Sequence, residues 1–235
     1  MANFSMLFGV GVILATQRRD QAGQRIWSYH YERTFWLLIF GMIHAYFIWY
    51  GDILVTYALC GFVVYWFRNL SVPALFFIGG ISLLIPVLIM MSAGVAPVDV
   101  QQAILNDFVP TSAEIHGEIA AYRGTWSDVQ NARLIEALDI QFAGIPFFLF
   151  WRAGGLILIG MALFKLGVFS ATRSVKFYIR FLGVSGIIGF PLVAHRAVQL
   201  IGQNWDPSFS LLQHGGVYIY RAVLALRCFM WGASC

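Results

Sequence analysis

Charge is scarce in this chain. Asp, Glu, Lys and Arg together make up 11% of its 235 residues, against about 25% in a soluble domain. So little charge cannot cover a water-exposed globule of this size, and it equally excludes an intrinsically disordered chain. Cysteine is nearly absent: Cys60, Cys228 and Cys235 form no C-x-x-C pair, so neither a disulfide scaffold nor a metal centre is supported. No G-x-S-x-G, Walker or H-E-x-x-H pattern occurs, which removes the readable nucleophile, nucleotide and zinc chemistries. No cofactor is implied. Lysine is almost missing, with two Lys against thirteen Arg and a net charge of +4. These basic residues sit in short clusters between apolar runs rather than on one face of a soluble module, which argues against a nucleic-acid partner.

What the chain has instead is apolar side chains, 60% of the sequence, with a mean hydropathy of +0.74. Apolar runs fall at about 3–16, 34–50, 53–67, 73–96, 146–164, 178–201 and 215–232. Seven spans of about 20 residues each account for most of this apolar content. The reading is an all-α polytopic transmembrane bundle of about seven spans, one membrane domain over 1–235. Membrane lipid is its first partner.

Between the second and third runs, Tyr46, Trp49 and Tyr50 meet Gly51 and Asp52. Aromatics beside a Gly-Asp turn predict two short helices joined by a tight hairpin at the lipid–water interface. If the spans alternate, one side receives Arg18, Arg19, Arg25, Arg33, Arg68, Lys165, Arg173 and Lys176. The other side holds most of the acidic residues. The positive-inside rule then predicts a multi-pass protein of the inner (plasma) membrane, with its amino terminus outside and its carboxyl terminus cytoplasmic. The segment 97–145 is the one sizeable extramembrane stretch and reads as short amphipathic helices on the outer side, with Thr111 or Ser112 starting one of them. Pro146 reads as the first turn of the next span.

The candidate chemistry lies at the span ends. Asp52 is a general base or cation ligand, or more simply the cap of a helix beginning at Ile53. His44 is a proton-transfer group or a hydrogen-bonded structural histidine; on a regular helix it lies about 12 Å from Asp52. Arg152, His195 and Arg196 fall in the extracytoplasmic halves of their spans, where they bind an anionic small molecule or snorkel to the interface. Convergence of Asp52, Arg152, His195 and Arg196 would form a polar pocket. His30 reads as an interfacial residue of the cytoplasmic side, and Gly79-Gly80 and Gly154-Gly155 as close helix contacts.

The hairpin carries a resemblance. Arg33, Gly41, His44, Gly51, Asp52, Ile53, Leu54, Tyr57 and Ala58 stand where the YeiB family, the domain of unknown function numbered 418, has its Arg-led helix, Gly-x-x-His, Gly-Asp-Ile-Leu and Tyr-Ala. The stretches FSMLFGVG, AYRGTWSDVQNAR and LILIGMALFKLGVF are also similar to that family. The resemblance covers about residues 3–200 and is most specific at 33–69. It implies a distant relationship to transmembrane acyltransferases, which pass an acyl group from a cytoplasmic donor to an extracytoplasmic sugar. It also implies a further helix ahead of Met1, with the relatives' catalytic histidine in the loop after it, and hence an incomplete portion here. Arg221 and Arg227 depart from the family's smooth last helix. The reading is a membrane protein of the uncharacterised YeiB type, acyltransferase-related and inactive in this incomplete form, with an acyl donor or an anionic small molecule as partner. The alternative is a small-solute transporter or transport accessory protein, although no paired broken-helix repeat is present.

Overall fold

The structure is a computed structural model that describes residues 2–23, 25–170 and 172–206. All regular structure among the described residues is helical. The predicted span at 215–232, with Cys228 and Cys235, lies outside them.

The chain divides into two units, residues 1–82 with 111–170, and residues 83–110 with 171–235. In the first unit, α1 (Ala2–Gln21) packs along α8 (Phe150–Lys165), and α3 (Leu54–Val64) packs on both α8 and α2 (Ile26–Ile43). The core between them is built from Val12, Ile13, Tyr57, Cys60, Leu75, Ile157 and Met161. Glycines permit the tightest approaches. A Cβ on Gly9 would run into the Ile157 carbonyl oxygen, and one on Gly160 into that of Met6. Small residues at helix crossings are the usual device where apolar lipid offers no hydrophobic drive for association. Of the predicted glycine pairs, Gly79 meets Gly155, its Cβ position being 2.9 Å from the Gly155 carbonyl oxygen, whereas nothing lies within 4 Å of a Cβ on Gly80.

Two short helices, α6 (Ser112–Arg123) and α7 (Trp126–Asp139), complete this unit. Thr111 caps α6 reciprocally: its hydroxyl accepts the Glu114 N–H at 3.3 Å, and Glu114 Oε2 accepts the Thr111 N–H at 2.6 Å. Pro146 does not open a new helix. It sits inside a π-helical stretch, Ile140–Leu149, that joins α7 to α8 in one helical run from Trp126 to Lys165. The wide π turn accommodates a residue that has no N–H to donate.

In the second unit, the distal part of α4 (Val72–Gly94) leads to α5 (Val98–Phe108), where Gln101 Nε2 donates to the Gly94 and Ala96 carbonyls at 3.2 and 2.8 Å. The last described helix is α9 (Val175–Gly202), which buries none of its residues although Ile187, Phe190 and Val193 are apolar.

Among the described residues, three helical runs are long and apolar enough to cross a bilayer: Val72–Gly94, Trp126–Lys165 and Val175–Gly202. The sequence reading expects seven. The second expected span is interrupted at its end by a π turn, the third is realised as the short helix α3 and a 3-10 turn at Tyr65–Phe67, and α1 carries Arg18, Arg19 and Asp20 in its last turns.

Candidate functional site

The hairpin after α2 is not a regular helix followed by a turn. From His44 to Ile48 the backbone winds as a π-helix, closed by the Trp49 N–H donating to the His44 carbonyl at 2.8 Å. The chain then reverses through Tyr50 and Gly51, and Asp52 returns beside His44. His44 Nδ1 and Asp52 Oδ1 are 2.8 Å apart. The expected separation of about 12 Å is therefore wrong, because it assumed a straight helix where the backbone widens and folds back.

Asp52 does two things at once. Its Oδ2 accepts the Val55 N–H at 2.8 Å, which caps the first turn of α3. Its Oδ1 takes the histidine. The Asp52 side chain is only 2% exposed, whereas that of His44 is 33% exposed. An ionised carboxylate only accepts hydrogen bonds, so Nδ1 of His44 is the donor and Nε2 is left to accept or to bind a proton. No polar atom among the described residues engages Nε2; the nearest ring neighbour is Trp49, edge-on at 6.5 Å. The imidazole is thus oriented by a carboxylate at one ring nitrogen and unengaged by the described residues at the other.

The turn is held from the opposite side by residues the sequence reading did not select. A π turn displaces carbonyls from the regular helical ladder, and they need other donors. Gln130 Nε2 donates to the Tyr46 carbonyl at 2.6 Å, and Arg133 Nη1 to the Phe47 carbonyl at 3.2 Å. Tyr46 Oη donates to Gln141 Oε1 at 2.8 Å, and Gln141 Nε2 approaches Met42 Sδ at 3.7 Å. Gln141 was visible in the sequence as the one polar residue of IQFAGIPFFLF. Gln130 and Arg133, one turn apart on an amphipathic helix, carry no such signal.

Arg152 is exposed on the first turn of α8 and forms no ion pair with Asp52. His195 and Arg196 belong to α9 in the second unit, the first exposed and the second half-buried. Among the described residues, no three His, Cys, Asp or Glu side chains group as metal ligands. His30 is packed inside the helices. It is 7% exposed, its Nε2 lies 2.9 Å from the Gly61 carbonyl, and its ring stacks on Tyr65 at 4.8 Å.

Comparison with known proteins adds two relatives. Over 198 residues, 81% of this chain and 46% of the relative, the sequence is 29% identical to "Uncharacterized protein YeiB" of Escherichia coli (strain K12). Over 80 residues, 34% of this chain and 20% of the relative, it is 44% identical to "Uncharacterized protein YxaH" of Bacillus subtilis (strain 168). The chain thus spans less than half the length of either curated relative. Its likeness to YeiB is distant and extends over most of its own length. No protein-family model and no solved structure matches it.

Proposed function

We propose that this chain is a YeiB-like multi-pass membrane protein, acyltransferase-related, in which His44 serves as a general base oriented by Asp52. The observation that carries the reading is the 2.8 Å contact between His44 Nδ1 and Asp52 Oδ1, with Nε2 open. In the reaction the geometry favours, Nε2 takes the proton from an acceptor hydroxyl while the hydroxyl oxygen bonds to the acyl carbon of a thioester. The carbon–sulfur bond breaks, and the imidazolium returns the proton to the departing thiolate. Asp52 keeps its hydrogen bond to Nδ1 throughout and offsets the charge on the ring.

The membrane reading adds the seven-span arrangement, with the arginine-rich loops cytoplasmic and the hairpin at the extracytoplasmic boundary of the plasma membrane. A reporter fused near residue 120 tests the orientation: cytosolic activity overturns it. Incorporation of a labelled acyl group by membranes containing the protein tests the chemistry. Loss of about 10²-fold or more in both His44→Gln and Asp52→Asn is expected; unchanged incorporation in either variant refutes the base. Solute uptake that depends on Asp52, without acyl incorporation, would favour the transporter alternative instead.

A further inference from the structure

A second feature of the first unit lies along α1. A cavity of about 610 Å³ runs between α1, α2 and the start of α3, within the usual range of about 300–1,000 Å³ for small-molecule sites. Its walls change character from end to end. Phe4, Leu7 and Phe8 of α1, Leu37 of α2, and Ile53 and Leu54 at the hairpin line the apolar part. Thr16, Tyr29 and Arg33 line the other end. From Phe4 to Thr16 the helix rises about 18 Å. Phe4 and Leu7 are 68% and 54% exposed, so the groove opens sideways rather than being sealed in the core.

The polar end has a surplus of positive charge. The Arg19 guanidinium lies 3.7 Å from the Tyr29 ring centre, and that of Arg33 lies 5.4 Å from it. No carboxylate among the described residues is within ion-pair distance of either arginine, although Asp20 and Glu32 are sequence neighbours. Two guanidiniums around one phenol, both without an acidic partner, are suited to bidentate capture of a phosphate.

We infer that this groove binds one tail of an anionic phospholipid, whose phosphate is held by Arg19 and Arg33. The apolar wall matches a tail, and the uncompensated charge selects the headgroup. The inference rests on the membrane reading above but not on the role given to His44.

The test uses the whole chain in neutral detergent, with phosphatidylglycerol or phosphatidylcholine of identical tails and native mass spectrometry as the readout. At least tenfold preference for phosphatidylglycerol is expected. A Cβ on Gly11, which lines the groove, meets no atom within 4 Å, so Gly11→Phe fills the groove without a backbone clash and lowers binding of both lipids at least tenfold. The double change Arg19→Gln and Arg33→Gln, which removes only long side chains at one end, abolishes the preference and leaves phosphatidylcholine binding in place. Equal binding of the two lipids, a preference that survives the double change, or binding unaffected by Gly11→Phe overturns the inference. His44→Gln leaves lipid binding unchanged, so failure of the base and failure of the groove are read separately.

Discussion

Asp52 and His44, eight residues apart, share a 2.8 Å hydrogen bond because a π turn replaces the last turn of the helix that carries the histidine. The same carboxylate caps the next helix through the Val55 N–H. One buried group therefore ties the exit of α2 to the start of α3.

That double duty makes two substitutions of Asp52 separable. Asp52→Ala loses the cap and leaves His44 Nδ1 without its acceptor, and destabilises the protein by about 1–3 kcal/mol. Asp52→Asn keeps an acceptor and a good capping group and costs less. Thermal unfolding in detergent measures both, and equal stability of the two variants would contradict the assigned contacts.

The crossing of α1 and α8 predicts a contrast among glycines. Gly9→Ala and Gly160→Ala each push a Cβ into a facing backbone carbonyl and lower stability by about 1–3 kcal/mol. Gly11→Ala, two residues along the same helix in open space, stays within about 1 kcal/mol of the parent on the favourable side. Melting temperatures of the three variants decide it.

Gln130→Ala removes the donor on the Tyr46 carbonyl and costs about 1 kcal/mol, with faster hydrogen exchange across 46–52. Arg133→Ala costs less, since its contact with the Phe47 carbonyl is solvent-exposed. Exchange that accelerates elsewhere but not at the hairpin would show that these side chains do not hold the π turn.

The amino end of α6 responds to acid. The Thr111 backbone N–H, and after it the Thr111 side chain, hold the Glu114 carboxyl below its ordinary value of 4.5. A depressed folded-state value means that the contribution is complete above about 4.5 and is lost as pH falls through the lower folded value. Protection factors for the amides of 112–116, corrected for intrinsic exchange, should fall over that acidic range. In Glu114→Gln, whose amide oxygen still accepts the Thr111 N–H but does not titrate, they should be independent of pH over that range.

Sequence alone determined the helical character of the described chain, the apolar runs, a start of α6 at Thr111 or Ser112, and the presence of His44 and Asp52 as ionisable groups around the hairpin. These follow from local properties: hydropathy over a window, a capping pattern three residues long, an ionisable group in an apolar run. The pairing of His44 with Asp52 was a matter for the tertiary structure, because it depends on a backbone that departs from 3.6 residues per turn, and no local pattern in HAYFIWYGD announces that. The π turn persists because Gln130 and Arg133, more than eighty residues away, reach its carbonyls. The groove beside α1 likewise exists only once three helices, each unremarkably apolar on its own, are set side by side.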